Sequence, residues 1–145
     1  MKTSYELARE IALFLSSKNI FGLIYLGTDQ KNDEDDSGLS FPEPDDPPQS
    51  ELIIYPISSI EEDNVNEVSV YFQYAVECSN VVETEGVKMF EGLEMLADLE
   101  KVIYDLKFFN RYSGNITENE VMPVENFPFF MGYTVIRYNF PITIR

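Results

Sequence analysis

The sequence predicts an α+β fold: an antiparallel sheet of four or five strands with two main helices packed on one side. Three observations carry that prediction. Two stretches, one near the start and one after Gly86, repeat apolar residues at steps of three and four, the spacing of a helix with one buried face. Glu67–Cys78 alternates apolar and polar residues without a break, as a strand with one buried face does. Short β-branched and aromatic runs bounded by Asn, Gly or Pro supply the remaining strands. At 145 residues, the chain is expected to form one domain, 1–145.

The elements follow in order. Ser4 to about Ser17 reads as a helix, with Leu7, Ile11, Phe14 and Leu15 on one stripe. Thr3 or Ser4 can cap it, Glu6 suits the positive end of its dipole, and Asn19 can stop it. "IFGLIYLG" after it is a candidate buried strand. Asp29–Ser50 then breaks every periodicity. It holds eight carboxylates, one lysine and four prolines, so it carries −7 of the chain's −16. Such composition cannot bury enough apolar surface to offset its ordering entropy. The expectation at 29–50 is therefore an acidic, Pro-rich, mobile loop between two strands. Two sharper readings stand beside it: a segment that orders on a partner, and a weak calcium site in "DEDD". The second lacks the D-x-[DN]-x-[DN]-G ligand spacing.

"ELIIYPI", Glu51–Ile57, is the next strand, and Pro56 pushes it toward an edge or a strand end. Ser58–Asn66 reads as an acidic turn region, closing a long hairpin with Glu67–Cys78. In that second strand Val68, Val70, Phe72, Tyr74 and Val76 form the core face. A second helix is expected from about Gly86 to Phe108. Its stripe is Met89, Leu93, Leu96, Leu99 (or Glu100), Ile103 and Leu106. A short strand around Ile116–Val121 and a final strand from Met131 to Ile144 complete the order. In the final strand Thr134, Ile136, Tyr138 and Phe140 share one face.

Composition excludes several functions. Histidine is absent, which removes the commonest general base and the commonest transition-metal ligand. A Ser-His-Asp or Cys-His hydrolase is impossible within this chain. The single cysteine, Cys78, forms no disulfide within the chain and no cysteine-rich metal site. None of the seven glycines precedes a Lys-Ser or Lys-Thr pair, so no phosphate loop is present. The expectation is a protein that is not an enzyme and uses no cofactor and no metal. A sequence pI of about 4.1 is the reverse of a nucleic-acid footprint, so tight DNA binding is not expected. No stretch reaches the roughly 18 apolar residues of a membrane helix. Glu6, Arg9 and Glu10 interrupt the start where a signal peptide would be apolar. Asn115-Ile-Thr117 matches a glycosylation sequon, read here as chance.

Against this acidity, Phe127–Arg145 is anomalous. "FPFFMGYTVIRYNFPITIR" contains no carboxylate, six aromatics and two arginines. It reads as a strand with aromatics on both faces, one covering the core and the other meeting a neighbour. Phe127, Phe129, Phe130 and Tyr133 are the candidate assembly interface. Simple core filling would ask for the same residues.

The order of elements resembles the tail-terminator and head-to-tail joining proteins of long-tailed bacteriophages. The likeness is carried by "YELAREIALFL" leading into "IFGLIYLG", the Pro-interrupted acidic loop, "ELIIYPI", "EVSVYFQYAVE", "GLEMLADLEKVIYDL" and "GYTVIRYNFPITI". It spans nearly the whole chain. The resemblance implies a non-enzymatic ring, typically of six copies, that caps the completed tail tube and joins it to the head connector. Its partners would then be itself, the tail tube protein and the head connector protein. DNA would pass through without tight binding, because a like-charged wall holds phosphate poorly. The protein would occupy the host cytoplasm during assembly and then the tail–head junction of the virion. Asp33, Glu34, Asp35, Asp36, Asp45 and Asp46 are the candidate partner-facing residues of the acidic loop. The rival reading is a small acidic inhibitor or immunity protein that covers a basic site on a nucleic-acid enzyme. Charge of this sign and density would steer such an association equally well.

Overall fold

A computed structural model describes residues 2–27, 49–78, 80–121 and 129–141. Helix α1 spans Ser4–Lys18. Thr3 caps it, with Thr3 Oγ1 accepting from the Glu6 N–H at 3.1 Å and the Thr3 N–H donating back to the Glu6 carboxylate at 3.3 Å. Asn19 ends it in the left-handed region, at φ 55°. Leu7, Ile11 and Leu15 are buried as the stripe requires, while Phe14 is 41% exposed. Two bonds tie the helix start to the sheet: Lys2 N–H to Asn66 Oδ1 at 2.8 Å and Ser4 N–H to Ser59 Oγ at 2.6 Å.

The main sheet has five strands, in the order β1 (Leu23–Leu26), β2 (Gln49–Glu62), β3 (Val65–Glu77), β7 (Phe129–Pro141) and β6 (Ser113–Val121). Strand β1, Leu23–Leu26, runs parallel to β2, Gln49–Glu62. Every other pairing in the sheet is antiparallel. β1 is an edge strand, its Leu23 52% exposed, so the buried strand expected there is corrected. Parallel neighbours cannot be joined by a hairpin and need a crossover of about a dozen residues or more. The long connection through 28–48 meets that requirement, which gives the acidic segment a topological reason for its length. Its structure lies outside the described residues. Gln49 and Ser50, expected within the loop, belong to β2, and Ser50 Oγ accepts from the Gly22 N–H at 3.0 Å.

β2 continues past the expected turn region and pairs along its length with β3, Val65–Glu77. The turn is only Asp63-Asn64, both at positive φ (51° and 64°), the pair a tight hairpin of this hand demands. Pro56 sits where β1 no longer pairs with β2, and the register shifts between Pro56 and Ser58. A residue without an N–H is tolerated at such an edge and bulge. Val68, Val70, Phe72, Tyr74 and Val76 are all fully buried, the face read from the alternation.

A hairpin of β4, Val81–Thr84, and β5, Val87–Phe90, forms a separate two-stranded sheet. It occupies residues expected to begin the second helix. That helix, α2, starts at Glu91 and runs to Asp105, with Gly92, Leu96, Leu99 and Ile103 buried. Met89 is therefore in β5 and Leu93 is 38% exposed, so neither belongs to the core stripe expected of them. A 3-10 segment, Leu106–Arg111, follows, kinked at Phe109 and Asn110. β6, Ser113–Val121, and β7, Phe129–Pro141, finish the sheet. β7 is described as far as Pro141, and the rest of the expected strand, to Ile144, lies outside the described residues. Thr134, Ile136 and Tyr138 are buried, and Phe140 packs against the same core. Both helices lie on this one face, giving an α+β fold with a mostly antiparallel sheet. Among the described residues no helix is long and apolar enough to cross a membrane.

Candidate functional site

The sheet face turned away from the helices is the surface of interest. Side chains alternate across a strand, so the neighbours of the core residues point the other way. On β2 these are Ile53 and Tyr55, on β3 Tyr71, Gln73 and Ala75, and on β7 Met131, Tyr133 and Val135. Tyr55 and Tyr71 are register partners with ring centres 5.4 Å apart, edge to face. Tyr71 and Tyr133 stack at 5.4 Å with an interplanar angle of 16°. The three rings form a ladder over the middle three strands. Ile53 and Val135 are buried beside it, 6% and 8% exposed, yet stand apart from the helix-side core cluster. Among the described residues, a second, smaller apolar layer has thus formed without a helix above it.

Carboxylates border this layer. Glu118 and Glu120 are exposed on β6, and the Tyr133 hydroxyl donates to the Glu120 carboxylate at 3.1 Å. That hydrogen bond, with some burial and the Glu120 charge, holds the Tyr133 hydroxyl above the usual tyrosine pKa. Burial, Tyr55 and Glu118 raise Tyr71 likewise. An aromatic centre with a charged border has the anatomy of a protein-binding patch, and tyrosine is a favoured anchor in such patches.

The candidate residues from the sequence are divided by the structure. Asp33, Glu34, Asp35, Asp36, Asp45, Asp46 and Phe127 lie outside the described residues. Phe129 and Tyr133 are half-buried on the open face. The structure places Phe130 in the core rather than on the open face. It is fully buried on the helix side, opposite Val76, with its ring against Gly92 and 6.2 Å from that of Phe90. Adjacent strand residues point to opposite faces, so Phe129 and Phe130 cannot share a role. Tyr55 and Tyr71 escaped the sequence reading. Tyr71 falls on what reads as the polar face of β3, and only pairing with β2 and β7 gathers the three rings.

Among the described residues no group of three His, Cys, Asp or Glu side chains could hold a metal, and Cys78 is buried. The ion pair Lys2–Glu10, at 2.7 Å, fastens the chain before α1. Burial opposes the Lys2 charge, but hydrogen bonds to Glu10 and Tyr112 outweigh it and raise its pKa.

Two tyrosines on the helix side report on the core. Tyr138 Oη donates to the Leu106 carbonyl at 2.6 Å, and burial pushes its pKa far up. Tyr74 is raised by burial too, and its hydroxyl meets Thr134 Oγ1 at 3.2 Å. Thr134 Oγ1 donates to Asn119 Oδ1, so Tyr74 is the donor to Thr134. A raised folded-state pKa means the folded chain keeps protons that the unfolded chain releases above about pH 10. That stability is fully present below pH 10 and is lost as pH climbs toward the folded values. Ultraviolet titration of the nine tyrosines should show a late fraction that ionises only as the near-ultraviolet dichroism collapses. Tyr138→Phe should shrink that fraction while costing about 1 kcal/mol at neutral pH through its lost hydrogen bond. Reversible ionisation of every tyrosine in the folded protein would contradict the burial of Tyr138.

The sequence matches no protein-family model, and none of the curated proteins compared with it is similar.

Proposed function

We propose that this chain is a non-enzymatic structural subunit that assembles with copies of itself, in the manner its resemblance implies: a ring that caps a phage tail tube and meets the head connector. One observation carries the reading. The chain presents apolar surface in separate places, the tyrosine ladder on the open sheet face and the β4–β5 hairpin, on which Val81, Val82, Val87 and Met89 are each 45–55% exposed. Apolar patches on two sides of one small domain suit a subunit with several neighbours better than a protein that stays alone. The open face would seat on another protein whose contact surface is apolar with a basic border, complementary to Glu118 and Glu120. The acidic border also favours the inhibitor reading, in which one basic enzyme occupies that face.

Light scattering over a range of concentration and salt, with electron microscopy of any large species, separates the two. A ring former yields closed particles of fixed size. Salt should promote them, because subunits at −16 repel one another and screening removes much of that repulsion. A chain that stays monomeric at every concentration and salt would sink self-assembly and leave the inhibitor reading.

A further inference from the structure

We propose that the β4–β5 hairpin is a docking arm, received head-to-tail by a cleft at the far end of α2 on the next copy of this chain. The inference rests on the self-assembly reading and names its contact.

The arm is amphipathic. Val82 pairs with Met89 and Thr84 with Val87, so these four side chains share one face. The opposite face carries the Val81–Phe90 and Glu83–Lys88 pairs, and its Phe90 packs against the core beside Phe130. The first face has no cover within the described chain, with Val82, Val87 and Met89 45%, 55% and 46% exposed. Two strands of four residues are marginal alone. The arm is nevertheless built to a definite geometry. Glu85 and Gly86 take φ 51° and 80° at its turn, and its base is fastened to α2. There the Glu91 N–H donates to the Asn80 carbonyl at 3.1 Å and Asn80 Nδ2 to the Glu91 carboxylate at 3.0 Å.

The receiving cleft lies between the end of α1 and the 3-10 segment. Phe14, Ile20, Val102, Phe108 and Phe109 line it, and it encloses about 500 Å³, room for several aliphatic side chains. Phe108 is 69% exposed, and Phe14 and Phe109 meet edge to face at 5.2 Å. Its border is unusual in so acidic a protein. Lys18 Nζ sits 5.1 Å from the Phe14 ring centre and Lys107 Nζ 4.9 Å from that of Phe108, with Asp105 the single carboxylate among the described lining residues. An arm tipped by Glu85 is electrostatically suited to it.

Placement makes the contact head-to-tail. The arm joins α2 at Glu91, and the cleft is lined by the last turn of α2, from Val102 to Asp105, about 16 to 21 Å further along the helix. Unlike patches at opposite ends of one subunit make a heterologous interface, which propagates and can close into a ring. Because α2 packs along β3 and β7, this contact runs parallel to the sheet and leaves the tyrosine face clear for a different protein.

The test uses the full chain. Val82→Asp with Met89→Asp, and separately Phe108→Asp, should each raise the concentration needed for assembly at least about tenfold, with melting unchanged. Tyr71→Ser with Tyr133→Ser should leave assembly as in the parent. Loss of assembly in the tyrosine variant alone would overturn the arm contact while the self-assembly reading stood. A parent monomeric under every condition would remove both. An independent readout pairs Val82→Cys with Phe108→Cys. Mild oxidation should then link copies into a ladder ending at the ring size, whereas each single variant stops at a pair. A double variant that also stops at a pair, or does not link, would overturn head-to-tail docking.

Discussion

Val70→Asp should abolish the cooperative thermal transition of this protein. Val70 is fully buried at the middle of the central strand, between Pro56 on β2 and Ile136 on β7. Its side chain faces the core shared with Leu7, Ile11, Leu96 and Ile103. A carboxylate placed there has no partner, and either its charge or its neutralisation costs several kcal/mol. Domains of this size are stable by only about 5–15 kcal/mol, so the substitution removes most or all of that margin. Ile136→Asp should act by the same route, one strand away. The control is Arg137→Asp, one residue along and exposed on the other face, which should change stability by about 0.5 kcal/mol or less. Circular dichroism melts decide it. A folded Val70→Asp with parental melting would mean that the alternation in β3 has been assigned to the wrong face.

Phe130→Ser is the second large effect, and it separates a core role from an assembly role. Removing a buried phenylalanine side chain costs about 3–5 kcal/mol, counting the cavity left behind. The variant should therefore lose stability in urea before any change in assembly can be read. Gly92→Ala tests the other side of the same contact. Alanine is the better helix former by about 1 kcal/mol, so propensity alone favours the change. A Cβ on Gly92 would overlap the Phe130 ring, however. Overpacking of this kind costs about 1–3 kcal/mol, and Gly92 lies in the first turn, where propensity counts least. The net expectation is destabilisation. Combining Gly92→Ala with Phe130→Leu should recover part of the loss, because touching residues couple. A stabilised Gly92→Ala, or a Phe130→Ser of parental stability that only alters assembly, would restore Phe130 to the interface.

The sequence by itself determined what local periodicity and composition control. The first helix, read as Ser4 to about Ser17 with Thr3 or Ser4 as its cap, the buried face of β3 and the α+β class all follow from spacings that any amphipathic element must obey. Absence of histidine is likewise a statement about chemistry that no fold can alter. Tertiary structure decided everything that depends on which strands become neighbours. The polar run Ser58–Glu62 looks like a turn, but pairing with β3 carries it on as strand. The stretch ending at Met89 keeps helical spacing, yet two φ-positive residues at Glu85-Gly86 fold it into a hairpin. Phe129 and Phe130 are alike in sequence and opposite in role, because the pleat sends one to the open face and the other under Gly92. The tyrosine ladder is the extreme case. Tyr55, Tyr71 and Tyr133 are scattered along the chain, and only sheet register, a long-range property, sets their rings side by side.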